Sequence, residues 1–267
     1  FYFDGTKLTN FSSGLCNGMT ASAWTWTTGD AASTVTFSDG NTSGGYAIQS
    51  SDAYFYDNGD NSSSADRGSS LGSDARYRSW TLEEVTTLPV TITDACYATL
   101  CAPVALTIPS GVTAYYISAL TSTEATLTEI STTIPANTGV VLYSETPGTY
   151  DFAIADGGTA VDGNKLSGQA TAQHVEDGFA YTLQKSADKT VIGLFPKKDG
   201  TIAGFKAYML ASALPTDGGE VKGVTFRLDG ADGISNVNLN DNLNDNLNDN
   251  DNVNYRVLAK TRTWNVQ

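Results

Sequence analysis

Leu88-Pro89-Val90-Thr91-Ile92 alternates apolar and polar residues. Because successive side chains of a strand point to opposite faces, Leu88, Val90 and Ile92 predict a strand with one buried face. Pro89 falls at its start, where no ladder donor is lost. The rhythm continues downstream, where strands are expected at Ala98 to Ile108, Thr113 to Ser118, Ala125 to Ile130, Gly139 to Tyr143, Thr149 to Ile154, Phe179 to Gln184, Val191 to Pro196, Phe205 to Leu210 and Lys222 to Leu228. No amphipathic stretch of three helical turns interrupts them, and only Tyr208 to Leu214 suggests a short helical turn ended by Pro215. This strand count predicts a β-sandwich over residues 87–235. Its turns carry their own chemistry. In Ile134-Pro135-Ala136-Asn137-Thr138-Gly139 the proline presets one φ, Asn and Gly tolerate positive φ, and Val140-Val141-Leu142 then turns into the core.

Residues 1–86 carry shorter aromatic strands at roughly ten-residue intervals: Phe1 to Phe3, Ala23 to Thr27, Ser33 to Phe37, Tyr46 to Gln49, Ala53 to Tyr56 and Arg78 to Val85. Gly, Asn, Asp and Ser clusters separate them, as in a small β-barrel or trefoil-like module. The expected fold class is therefore all-β, a small barrel or trefoil-like module followed by a sandwich. From Asn236 to Asn254 the chain becomes an Asn/Asp tract with a four-residue period, too poor in apolar surface to fold alone, and reads as a linker or tail. Residues 255–267 are basic and apolar and read as a C-terminal strand or mobile end.

Charged residues make up only 16% of the 267, and 29 acidic against 15 basic groups give a net charge of −14. Such a surface repels phosphate backbones, so nucleic acid is not an expected partner. No run of 18 apolar residues exists to span a membrane as a helix. The chain opens directly on the strand-like Phe1-Tyr2-Phe3, which reads as a processed or truncated end. Three cysteines, Cys16, Cys96 and Cys101, cannot form a full disulfide framework. On a single strand Cys96 and Cys101 would lie about 16 Å apart on opposite faces, so buried free thiols are expected.

The chain holds one histidine, His174, in a loop-like setting. That count removes Ser/His/Asp and Cys/His nucleophilic machinery and HExxH zinc sites. Most acids sit beside Gly or Asn in turn-like contexts, and Glu83-Glu84 reads as pairing with Arg76 or Arg78. No catalytic residue is assigned, and the chain reads as a non-enzyme. Trp24, Trp26, Tyr54, Tyr56, Asn58 and Trp80 combine aromatic faces with an amide, the mixture that stacks on sugar rings and takes their hydroxyls, so a glycan is the expected ligand. Asp57, Asp60 and Asp66 form a dense set of hard oxygen donors suited to Ca²⁺ in an irregular loop, though not at EF-hand spacing. No other cofactor is expected.

Several phrases of the second segment resemble a domain found near the C-termini of large secreted proteins of Bacteroidetes-type bacteria, including carbohydrate-active enzymes and surface proteins. They are Tyr97-Ala98-Thr99-Leu100 followed by Ala102-Pro103-Val104, Ile108-Pro109-Ser110-Gly111-Val112-Thr113-Ala114-Tyr115, Ile134 to Leu142, Gly163-Asn164-Lys165-Leu166-Ser167-Gly168 and Lys206-Ala207-Tyr208-Met209. Trp80-Thr81-Leu82-Glu83-Glu84-Val85 is similar to the closing Trp-x-Leu strand of ricin-type trefoil repeats. The resemblance implies a secreted or cell-surface accessory region, lectin-like at its start and a rigid spacer beyond. The alternative is an adhesin or filament subunit that self-associates through β edges.

Overall fold

The computed structural model describes residues 1–4, 6–10, 15–19, 24–28, 32–40, 44–50, 53–56, 66–68, 80–187, 191–215 and 221–228. The Asn/Asp tract and residues 255–267 lie outside the described residues, as do Asp57, Asn58 and Asp60. The chain is all-β and divides into two compact units, one of Phe1–Glu84 and one beginning at Val85.

The first unit contains two antiparallel meanders. One runs through β1 (Tyr2–Phe3), β2 (Leu8–Thr9), β3 (Cys16–Met19) and β4 (Trp24–Thr27), and the other through β5 (Thr36–Asp39), β6 (Tyr46–Ser50), β7 (Ala53–Tyr56) and β8 (Asp66–Gly68). Leu8, Val35 and Ile48 form its core, with Phe37, Phe55 and Trp80 packed against them. The expected strand at Ser33 to Phe37 begins only at Thr36, because the preceding backbone is bonded elsewhere. Ser33 N–H donates to the Asn17 carbonyl at 3.0 Å and Val35 N–H to that of Thr6 at 2.7 Å. Asn17 is buried and fully used, its Oδ1 accepting from Leu8 N–H and its Nδ2 donating to the Ser33 carbonyl, both at 2.8 Å. The expected strand Arg78 to Val85 is reduced to one bridge, in which Trp80 and Tyr46 exchange two backbone bonds of 2.8 Å. Glu83 and Glu84 are exposed beyond it, outside any strand, while Arg76 and Arg78 lie outside the described residues.

In the second unit the strands are β9 (Thr87–Ile92), β10 (Tyr97–Leu100), β11 (Ala105–Thr107), β12 (Thr113–Leu120), β13 (Glu124–Ile130), β14 (Thr133–Ile134), β15 (Val140–Tyr143), β16 (Gly148–Ala155), β17 (Leu166–Gln169), β18 (Gln173–Val175), β19 (Ala180–Lys185), β20 (Ile192–Pro196), β21 (Gly200–Ile202), β22 (Lys206–Leu210) and β23 (Val224–Leu228). Nine of them form one sheet in the order β10-β15-β12-β13-β23-β20-β19-β22-β17.

That order is an internal duplication. Taken in from one edge, the first, fourth, second and third long strands of residues 97–143 lie side by side. Taken in from the other edge, the first, fourth, second and third of residues 166–210 do the same. The minor pairs β11·β14 and β18·β21 repeat as well. Equivalent strands start 66 to 69 residues apart, from Tyr97 to Leu166 at one extreme and Val140 to Lys206 at the other. Even the backbone exceptions repeat. Asn137 and Phe205 both take positive φ (56° and 60°), and their N–H groups donate to Ala102 and Gln169 at 2.7 and 2.9 Å. Strand β23, the last of the described strands, fills the seam between the halves, parallel to β13 and antiparallel to β20.

The sheet rolls until its ends approach. Cys101 N–H, just past β10, donates to the Phe205 carbonyl at 2.9 Å, and a side chain on Gly168 would collide with Cys101. One core results, drawing Ile117, Ala125, Leu127, Val141, Leu166, Tyr181, Leu194, Met209 and Val224 from strands all around it. In β15, Val140, Val141 and Leu142 are all fully buried. Alternation puts Val141 inside and its neighbours outside, so a second layer must cover the outer face. The four-stranded sheet β14-β11-β16-β9 supplies that layer with Leu88, Val90, Ile92, Leu106, Ile134 and Phe152. The resulting sandwich has a rolled nine-stranded layer and a four-stranded one.

The expected strand Ala98 to Ile108 is split into β10 and β11, as Pro103 has no N–H for a ladder. The helical turn expected within Tyr208 to Leu214 is confined to a 3₁₀ turn at Ala211–Ala213. All three cysteines are free, with Cys16 and Cys101 buried but Cys96 only half-buried, held at positive φ in the turn before β10.

Candidate functional site

Trp26 lies on the edge strand β4, opposite Asn17 of β3. It is 40% exposed and stacks on Phe1, itself 57% exposed, with ring centroids 5.6 Å apart and planes 10° from parallel. Phe3 is also exposed and meets Phe37 edge to face at 4.8 Å. Together Phe1 and Trp26 form an apolar two-ring surface in contact with water.

The other residues expected to hold a glycan fall elsewhere. Trp80 is half-buried against the core, tilted over Phe55 at 4.8 Å, and its indole N–H donates to the Phe55 carbonyl at 3.0 Å. Its ring and its donor therefore serve the fold. Tyr54 is half-buried in β7, opposite Gln49. Trp24 lies in β4, two residues before Trp26, and Tyr56 in β7 opposite Asp66 of β8. Of the metal candidates only Asp66 stands in a described strand. Among the described residues no group of three or more His, Cys, Asp or Glu side chains is arranged to hold a metal ion.

His174 is in β18, with its Nε2 3.3 Å from Asp199 Oδ1. Both side chains are mostly exposed, at 60% and 71%, so the pair is a solvent-screened contact of little energetic weight. Lys198 and Asp177 make a second exposed pair at 3.4 Å.

A group that alternation alone does not single out lies on the inner face of the rolled sheet. Tyr97 of β10 packs against Tyr143 of β15 at 5.0 Å and Phe226 of β23 at 5.7 Å, with planes tilted by 46° and 42°. Tyr115 of β12 adjoins them, opposite Glu129 of β13. Burial pushes the Tyr97 phenol up to about 12, with Tyr143, Tyr115 and Cys96 adding to the effect. The same cause raises Tyr115 and Tyr143, reinforced by Glu129 beside the former and Glu145 beside the latter.

Neither a known protein family, nor a curated protein, nor a solved structure matches this chain.

Proposed function

We propose that this chain is a non-catalytic accessory region of a larger secreted bacterial protein, and that its first unit binds glycan through Phe1 and Trp26. The observation that carries the reading is the exposed, near-parallel stack of these two rings on an edge strand. Sugar rings present C–H faces that pack on such aromatic surfaces. The reading that the chain is non-catalytic rests on its single histidine, which is mostly exposed and pairs with the likewise exposed Asp199.

Self-association through β edges is the competing reading. Edge strand β9 carries Pro89, which withholds a donor from any incoming strand and weighs against that edge. A glycan array probed with the whole chain and with Trp26→Ala tests the proposal. Selective retention by one glycan class that Trp26→Ala loses supports it; no retention, or equal retention by the variant, refutes it.

A further inference from the structure

The duplicated halves of the rolled sheet provide an internal comparison. Tyr97 opposes Tyr143 across β10 and β15 just as Leu166 opposes Met209 across β17 and β22. Thr113 opposes Tyr143, and Tyr181 opposes Met209. Tyr115, two residues beyond Thr113, is therefore equivalent to Leu183, and Glu129 opposite Tyr115 to Leu194 opposite Leu183. In the second half these four positions hold Leu166, Leu183, Leu194 and Met209, all of them part of the apolar core or packed on it. In the first half they hold three tyrosines, of which Tyr97 and Tyr115 also pack on that core through their rings, and an exposed glutamate. The fold is thus satisfied by aliphatic residues at these places, and packing alone does not demand three phenols and a carboxylate.

The charges nearby are of one sign. Glu129 faces Tyr115, Glu145 acts on Tyr143, and Asp94 and Glu145 both act on Cys96 beside Tyr97. Among the described residues no basic side chain is a cause of the shifts at these three tyrosines or at Cys96. Aromatic faces carry negative quadrupole potential, and carboxylates at their rim add to it. An anionic ligand would be repelled here, and a cation gains more from the acids than a neutral ligand does.

We propose that Tyr97, Tyr115, Tyr143 and Glu129 form a second binding site, distinct from the Phe1–Trp26 surface, for an organic cation such as a protonated or quaternary amine. The rings of Tyr97 and Tyr143 supply the faces, and Glu129 and Glu145 supply the counter-charge.

The test uses choline as probe and 3,3-dimethyl-1-butanol, its neutral isostere, as control, read as the heat of binding to the whole chain by isothermal titration calorimetry. Choline gives a saturable heat and binds tighter than the isostere by about tenfold. Tyr97→Leu with Tyr143→Met installs the residues of the sister half and abolishes the heat. Glu129→Gln weakens binding and flattens its salt dependence. If the double variant does not fold, Tyr97→Phe with Tyr143→Phe serves instead, and it retains choline because the ring faces remain. Absence of a saturable heat, equal affinity for the isostere, full binding by a folded Leu/Met variant, or loss of binding in the Phe/Phe variant would overturn the proposal.

Discussion

The side-chain amide of Asn164 donates to the backbone carbonyl of Gly139 at 2.8 Å, and so ties the second half of the rolled sheet to the first. Its oxygen accepts from Ile117 N–H at 3.3 Å and from Leu166 N–H at 3.0 Å. Ile117 stands where the β12–β13 register shifts, so an irregular place in one half is completed by a side chain from the entrance to the other. Lys165 N–H donates to the Ile117 carbonyl at 2.9 Å beside it.

Removing this clamp leaves part-buried backbone groups without partners. Asn164→Ala lowers the stability of the second unit by about 1–3 kcal/mol, measured by denaturant unfolding. Asn164→Asp keeps the acceptor but sets a carboxylate oxygen against the Gly139 carbonyl in place of the donor, so its midpoint also falls below that of wild type.

The seam strand meets its neighbour at a tight point. A side chain on Gly193 would run into the Val224 carbonyl, so the backbones of β20 and β23 approach as closely as they do only because glycine is there. Gly193→Ala should cost about 1–3 kcal/mol and accelerate amide hydrogen exchange at Val224 and Thr225 ahead of the rest of the sheet.

Thiol labelling separates the cysteines. Cys96 is half-buried, and its thiol is raised by burial and by Asp94 and Glu145, so a disulfide reagent at neutral pH modifies it slowly but without unfolding. Cys101 is pushed up to about 11 by burial and reacts only once the second unit opens. Labelling of Cys101 as fast as Cys96 in the native protein would show that the rolled sheet is not closed there.

Alkaline pH should act through Tyr97. Its folded pKa of about 12 lies above the ordinary 10, so between those values the native state holds a proton that the unfolded state releases. The stabilising contribution is complete below pH 10 and is lost as pH rises toward 12. Thermal melts across this window should show the second unit weakening, with a smaller slope in Tyr97→Phe.

Alternation located most long strands of the second unit because each has a buried face, as at Leu88, Val90 and Ile92. Strand β17 escapes the same reading: Leu-Ser-Gly-Gln has one apolar residue, and Gly168 faces Cys101 where no side chain fits. Strands β18 and β21 hold one buried apolar residue each, Val175 and Ile202, too few to show a period. The duplication is hidden because Tyr97 and Leu166, Tyr143 and Met209, and Asn137 and Phe205 share position without sharing chemistry. At the candidate sites, the aromatic content of residues 1–86 drew attention to Trp26 but could not tell its exposed ring from that of Trp80, which is held in the core. Tyr97, Tyr115 and Tyr143 look like ordinary strand residues until register and sheet curvature bring them together.

The most direct measurement incubates the whole chain with the polysaccharide that retains it best on the array, recording both bound protein and released reducing ends. Saturable binding that Trp26→Ala loses, with no release of reducing ends above the protein-free control, is the predicted result. Sustained release, or binding indifferent to Trp26, would contradict a non-catalytic glycan-binding region.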